Sequence, residues 1–296
     1  MNSFFVLTAF ILAVLIFSTA LLGFIYQKNK SAENKKNLLR LRSWWYIFAV
    51  TAICLSAPPI GLICLSSFLA CTAYFEIIPS QVTKLRLKLF IPLFILLLVT
   101  QTLLFYWLSL HLVLVCTLSS LILYRLSRKA TLGKVFLFTF ILFSLALLPG
   151  LFTYGKQMED PFQLATFVFL LLLLTSLNDV FQYISGKKFG SRALAPKISP
   201  NKTLEGALGG VFLSALLSCC LWPLLSEFSL IYSLLLGVLI AFAGILGDLN
   251  ISQFKRLRGQ KESGSFLPGH GGILDRIDSL SFTLPAFCIF FIGINT

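Results

Sequence analysis

Charge is scarce in this sequence. Only 12% of its 296 residues are Asp, Glu, Lys or Arg, against roughly 25% in a soluble domain. The apolar residues make up 57% of the chain and form long uninterrupted runs, which excludes a water-soluble enzyme. The seven cysteines lie in these runs without a CxxC pair, so we expect neither a disulfide framework nor a zinc site. The composition predicts an all-α polytopic membrane protein.

The apolar runs predict about ten transmembrane helices, within a range of eight to ten, because a bilayer core about 30 Å thick takes about 20 helical residues. Two runs, 44–77 and 88–125, are too long for one crossing. We expect them to turn at Pro58-Pro59 and near Ser109, since proline lacks the N–H that a helix interior needs. The other predicted spans are residues 4–26, 133–154, 162–182, 206–225, 230–250 and 280–295.

Basic residues predict the orientation of these spans. The net charge is +13, and five segments that fall on one side of the membrane hold 23 of the 24 Lys and Arg residues. These segments are residues 27–43, 78–88, 125–134, 183–205 and 251–279. Cytoplasmic loops are enriched in Lys and Arg, so we expect these five to be cytoplasmic and the N-terminus external. The same bias explains the basic charge without a nucleic-acid partner.

Acidic residues mark two of these loops as chemically unusual. Asp179 and Asp248 stand at the inner ends of apolar runs, where a carboxylate is costly unless it has a partner. Asp275 and Asp278 are three residues apart and share a face if that segment is helical. Carboxylate oxygens suit Mg²⁺, which completes its shell with water and substrate phosphates. The alternative is that these acids only pair with Lys and Arg at the membrane surface.

Cations and short Ser, Thr and Gly stretches surround these acids. Ammonium, guanidinium and exposed backbone N–H groups together are how proteins hold polyphosphate. The cations are Lys197, Lys202, Lys255, Arg256, Lys261 and Arg276. Thr203 is expected to cap a helix that starts beside it. For Glu76, at the inner end of a span, we expect a helix-terminal or packing role.

Two segments carry recognisable motifs. One contains Ser252-Gln253-Phe254-Lys255-Arg256, then Lys261, then Leu267-Pro268-Gly269-His270-Gly271-Gly272-Ile273-Leu274-Asp275-Arg276-Ile277-Asp278. The other contains Asn178-Asp179, then Ser199-Pro200-Asn201-Lys202-Thr203 and Glu205-Gly206. These segments, within residues 175–280, resemble the two hallmarks of the phosphatidate cytidylyltransferase (CDP-diacylglycerol synthase) family.

The resemblance implies an activity, namely transfer of the cytidylyl group of CTP to phosphatidate, which yields CDP-diacylglycerol and pyrophosphate. It implies that Asp248 and Asp275 hold Mg²⁺, with room for a second cation, and that Asp179 supports them. Lys255 and Arg256 would act in catalysis. Substrate would be bound by Lys197, Ser199, Lys202, Thr203, Glu205, Lys261, His270, Gly271, Gly272, Arg276 and Asp278. The Gly271-Gly272 turn would let the nucleotide approach closely.

We also expect a particular organisation and location. Residues 1–160 would form a set of N-terminal transmembrane helices, and residues 161–296 the catalytic region with the two functional loops. We expect a bacterial inner membrane, with the site facing the cytoplasm. The resemblance further suggests a homodimer.

Other functions stay open on the sequence alone. Glu262 stands where the family has Asp, which leaves room for a CTP-dependent transferase on another lipid phosphate, such as a prenyl phosphate, or for an inactive paralogue. A membrane transporter would also carry intramembrane acids. Transporters typically show inverted repeats and acids near the midplane, whereas here the acids cluster at one face.

Overall fold

The chain is helical almost throughout. The computed structural model describes residues 3–57, 59–78, 83–127, 130–154, 161–221, 223, 229–260, 263–264 and 271–295. The described residues form α1 (Ser3–Lys28), α2 (Ala32–Ser56), α3 (Ile60–Ile77), α4 (Thr83–Trp107), α5 (Leu110–Leu126), α6 (Ala130–Tyr154), α7 (Pro161–Phe189), β1 (Ala193–Ala195), β2 (Ser199–Thr203), α8 (Leu204–Cys220), α9 (Leu230–Leu257), α10 (Leu274–Ile277) and α11 (Leu280–Asn295).

The helices confirm the all-α membrane fold. Within the described part of the chain, seven helices are long and apolar enough to cross a membrane, and three further apolar helices are shorter. The helices are interrupted at both predicted turns. Pro59 stands at the N-cap position of α3, shortly after α2 ends, while Pro58 lies outside the described residues. The Ser109 side chain caps α5 by accepting a hydrogen bond from the Leu112 amide.

Two helices run further towards the predicted cytoplasmic side than the hydropathy pattern indicates. We expected α7 and α9 to end at residues 182 and 250, but they continue to Phe189 and Leu257. With 29 and 28 residues, they are about 43 and 42 Å long, which exceeds a hydrocarbon core of about 30 Å. A helix satisfies its own backbone hydrogen bonds, so it continues past the apolar run. The extra turns give the functional loops rigid supports.

A small antiparallel hairpin, which the sequence analysis did not predict, lies within residues 183–205. Strands β1 and β2 pair Ala193 with Thr203 and Ala195 with Ser199. Thr203 then caps α8, as predicted, because its hydroxyl oxygen accepts the Gly206 amide at 3.1 Å. The hairpin therefore presents Lys202 and Thr203 at the start of α8.

Small residues let α7, α8 and α9 meet closely at their inner ends. A methyl group on Gly206 would lie 2.8 Å from the Gln182 carbonyl oxygen, so α8 can approach α7 only with glycine there. The buried Asn178 of α7 donates to the Ala241 carbonyl of α9 at 3.2 Å and accepts from Ser214 of α8 at 3.4 Å. Close approach at small residues and interhelical hydrogen bonds commonly hold membrane helices together.

Candidate active site

A cavity of about 370 Å³ opens where α7, α8, α9 and the hairpin meet. Its volume is within the usual range for small-molecule sites. Charged and polar side chains of α7, α9 and the hairpin line it, among them Asp179, Gln182, Lys187, Lys202, Thr203 and Asp248, while α8 contributes Gly206 and Ala207. Residues of the first motif segment thus share one cavity with Asp248 of α9, which lies four residues before the start of the second motif segment.

Lys202 and Asp248 form an ion pair in this cavity. The Lys202 ammonium donates to Oδ2 of Asp248, while Ser252, one turn further along α9, donates its hydroxyl to Oδ1 at 2.9 Å. The two charged side chains keep 21% and 20% of their surface exposed. Both therefore remain accessible to a ligand.

Asp179 lies beside this pair with a largely accessible side chain. Its carboxylate has only long contacts with the Ser279 hydroxyl, at 3.4 and 3.5 Å. It is close enough to Asp248 for their charges to repel each other, and close enough to Arg276 for attraction. Asp278 is buried near both acids and accepts the Ser279 amide at 2.7 Å. Three acids thus lie near one another, with Lys202, Lys255 and Arg276 as the nearby cations.

Lys255 and Asp275 form a second, more deeply buried ion pair, with 10% and 9% of their side chains exposed. The ammonium donates to Oδ1 at 2.6 Å. Oδ2 accepts two backbone amides, from Ser263 at 3.0 Å and Gly272 at 3.1 Å. Gly271, at φ +79°, makes the turn immediately before Gly272. Asp275 is thus held by three donors.

The remaining cations of the hairpin region lie further out. Lys197 is exposed at the turn of the hairpin, and Ser199 is half-buried in β2. Arg256 donates to the Ile198 carbonyl at 2.9 Å and to the Gln260 carbonyl at 3.0 Å, which ties the hairpin to the end of α9. In this structure Arg256 holds the hairpin against the end of α9, and its catalytic role stays a prediction.

One further predicted site residue, Glu205, makes hydrogen bonds within the protein, and two others lie outside the described residues. The Glu205 carboxylate accepts the backbone amides of Ser191 and Arg192 at 3.0 and 3.1 Å. It also accepts their side-chain donors, so it anchors the hairpin, and substrate contact by Glu205 stays a prediction. Lys261 and His270, and likewise Glu262, lie outside the described residues.

The profile of the cytidylyltransferase family matches residues 38–293. The chain belongs to this family. It is similar to phosphatidate cytidylyltransferase of Staphylococcus aureus (strain COL), 44% identical over 128 residues, which are 43% of this chain and 49% of the relative. It is 37% identical over 138 residues to the enzyme of the same name from Haemophilus influenzae, covering 45% and 48%. It is 50% identical over 126 residues to the uncharacterized protein YnbB of Escherichia coli K12, covering 43% and 42%. The chain spans about half the length of these curated relatives.

The structure adds residues to the cytidylyltransferase site that sequence reasoning missed. Gln182 lines the cavity one turn after Asp179, and its side-chain nitrogen has no hydrogen-bond partner in the described part of the chain. The spacing of three residues, which places both on one helix face, could have indicated it. Ser252 could likewise have been found four residues after Asp248. Glu76, which contacts the backbone just before Asp275, lies far from both motif segments in sequence, so no local signal indicates this contact.

The carboxylates of this cytidylyltransferase-family site are chemically suited to Mg²⁺. In the described residues, no group of three or more His, Cys, Asp or Glu side chains is arranged to hold a metal. Each carboxylate oxygen offers two lone pairs. Asp248 accepts one described hydrogen bond on each oxygen, and Asp275 accepts one on Oδ1. Both therefore keep acceptor capacity for a hard cation.

Proposed function

We propose that this chain transfers the cytidylyl group of CTP to phosphatidate, giving CDP-diacylglycerol and pyrophosphate. One observation carries the proposal. Residues of the first hallmark segment line a single polar cavity together with Asp248, which accepts a hydrogen bond from Ser252 of the second hallmark segment. Lys202 and Asp248 are paired and accessible there. The phosphatidate cytidylyltransferase names of several relatives support this choice of reaction.

The proposed reaction makes one bond and breaks one. A phosphate oxygen of phosphatidate attacks the α-phosphorus of CTP, a new P–O bond forms, and the bond from the α-phosphorus to the bridging oxygen breaks to release pyrophosphate. A phosphomonoester has a second pKa of about 6 and is largely dianionic at pH 7, so no strong general base is needed. The main barrier is repulsion between two anions, and catalysis should come from positioning and charge neutralisation.

The charge and position of each side chain indicate its role in the proposed reaction. Lys202 and Lys187, both at the cavity, would attract the phosphates of the nucleotide and the lipid. Their ammonium groups neutralise anionic charge as it accumulates. The Lys255–Asp275 pair would hold the segment that carries Asp275 in place through its buried contact.

Asp248 and Asp275 would hold Mg²⁺, with Asp179 as a supporting acid. When bound, the ion supplies charge stabilisation to the transferring phosphoryl group. Asp248 keeps its orientation through Ser252, and Asp275 through two backbone amides. A second cation and a homodimer stay predictions.

The assay that tests the reaction uses purified full-length chain, CTP, Mg²⁺ and a choice of lipid phosphates. We expect CDP-lipid from phosphatidate and at least about tenfold less from polyprenyl phosphate, a difference of about 1.4 kcal/mol in transition-state binding. The reverse preference would support the prenyl-phosphate alternative. Turnover with neither lipid would favour an inactive paralogue and contradict the proposal.

The proposed site faces the cytoplasm of a bacterial cell, where CTP is available. In a chain without its native cysteines, we expect Lys30→Cys and Lys188→Cys to react with a membrane-impermeant maleimide only after the cells are opened. Lys156→Cys, between two predicted spans on the other side, serves as the matched control and should react in intact cells. Labelling of Lys30→Cys or Lys188→Cys from outside would contradict the orientation.

A further inference from the structure

Glu76, near the inner end of α3, contacts the segment that carries Asp275. Oε1 accepts the Ile273 amide at 2.9 Å. Oε2 accepts the Leu274 amide at 2.8 Å and the Ser263 hydroxyl at 2.7 Å. We call these four residues the Glu76 clamp. Three donors on one half-buried carboxylate are a strong arrangement, because hydrogen bonds to a charged acceptor are stronger than those between neutral groups.

The Glu76 clamp is connected to Asp275 through Ser263 and through the backbone. Ser263 links the two carboxylates, since its hydroxyl donates to Glu76 and its backbone amide donates to Asp275 Oδ2 at 3.0 Å. Ile273 and Leu274, whose amides bind Glu76, immediately precede Asp275 in the chain. A change at Glu76 therefore moves both the backbone that carries Asp275 and one of its hydrogen-bond donors.

The glycines of the segment fit the same contact. A methyl group on Gly272 would collide with the Ser263 hydroxyl and would lie 2.7 Å from Oε1 of Glu76. A methyl group on Gly264 would lie 2.9 Å from the same oxygen. The space in the Cβ direction of Gly272 is thus filled by the protein's own carboxylate, and close approach of a nucleotide at the Gly271-Gly272 turn stays a prediction.

The end of α3 is held from a second direction. Arg258, the residue after α9, donates to the backbone carbonyls of Glu76 and Ile77 at 3.0 and 3.1 Å. Basic side chains at a helix C-terminus satisfy its last carbonyl groups in this way. Both ends of the loop between α9 and α10 are therefore attached to α3.

We propose that Glu76 is a positioning residue for the active site, and that α3 thereby sets the place of the Asp275 carboxylate. The N-terminal helices then contribute to catalysis and are more than a membrane anchor. The inference rests on the proposed function for its kinetic readout, while its structural readout is independent of any activity.

The first test is Glu76→Gln in purified full-length chain in lipid nanodiscs. Gln has one acceptor oxygen, so one of the two clamped amides loses its partner. Amide hydrogen exchange at Ile273 and Leu274 should become about tenfold faster or more. With CTP and phosphatidate, kcat should fall and the Mg²⁺ concentration for half-maximal rate should rise, each by about 10- to 100-fold, the usual effect of losing a support of a metal ligand. Glu76→Asp should recover part of both losses.

The second test asks whether Glu76 is what excludes a side chain at Gly272. Gly272→Ala alone should reduce kcat/KM by about 100-fold, the cost of a displacement near 1 Å at a catalytic centre. In a Glu76→Ala background the same change should cost only about tenfold, because one of the two groups that the methyl would meet is then removed and contacting residues are not additive. Gly133→Ala, where a methyl group meets no atom closer than 3.9 Å, is the matched control.

The outcomes separate the two proposals. Unchanged exchange at Ile273 and Leu274 in Glu76→Gln, or strictly additive losses in the double variant, would overturn the positioning role. Should Glu76→Gln fail to fold, Ser263→Ala removes one donor only and must still show the raised Mg²⁺ requirement. A wild type without turnover would end the proposed function, and the exchange experiment would then decide the Glu76 clamp alone.

Discussion

Replacement of Asp248 by asparagine is expected to lower CTP turnover by about 1,000-fold or more, which corresponds to about 4 kcal/mol of lost transition-state stabilisation. Asparagine keeps the size of the side chain but removes the charge that faces the cavity and pairs with Lys202. Hard cations bind poorly to a neutral amide compared with a carboxylate. The measurement is transfer of label from CTP into lipid, per mole of folded protein.

Ser252→Ala is the matched control for this variant. It removes one hydrogen bond to the same carboxylate and leaves the charge in place. A hydrogen bond to a charged group is worth about 1.5 kcal/mol or somewhat more, so turnover should fall by only about 10- to 30-fold. Near-normal synthesis of CDP-lipid by well-folded Asp248→Asn would show that the assignment of Asp248 is wrong.

Asp275→Asn is expected to lose both activity and stability. Its partner Lys255 is only 10% exposed, so the variant leaves a buried ammonium without its counter-charge. Breaking a buried ion pair in this way costs about 3 kcal/mol or more. Turnover should also fall by about 1,000-fold if Asp275 helps to hold the metal. Thermal unfolding in detergent and the CTP assay measure the two effects.

The double variant Asp275→Asn with Lys255→Met separates these effects. Methionine fills the space of the lysine stem without a charge, and the asparagine oxygen can still accept the Ser263 and Gly272 amides. Stability should return to within about 1 kcal/mol of the wild type, since apolar replacement of a buried pair is often neutral. Activity should stay low. Recovery of activity together with stability would mean that Asp275 has only a structural role.

The sequence predicts most of the membrane architecture, because span length and proline geometry are local properties. The helix break beside Pro59 follows from the missing proline N–H, and the cap at Ser109 follows from its hydroxyl acceptor. Asp179 and Asp248 are recognisable because carboxylates at the ends of apolar runs need a partner. The motifs then indicate which of them belong together.

Long-range contacts and helix ends could not be predicted in the same way. Glu76 bonds to residues 187 to 198 positions away, and only the tertiary packing of α3 reveals this contact. The predicted spans are shorter than helices α7 and α9. Hydropathy indicates where the lipid ends, whereas backbone hydrogen bonding decides where a helix ends. The partners of Asp248 and Asp275, two lysines, likewise required the fold.

The most direct measurement of the central claim follows two labels of CTP in parallel reactions with phosphatidate and Mg²⁺. If the lipid phosphate attacks the α-phosphorus, label from [α-³²P]CTP must enter the lipid extract, and label from [γ-³²P]CTP must appear as pyrophosphate in the aqueous phase. Label from the γ-position in the lipid would indicate a kinase. If [α-³²P]CTP puts no label into the lipid extract, the proposed cytidylyl transfer is contradicted.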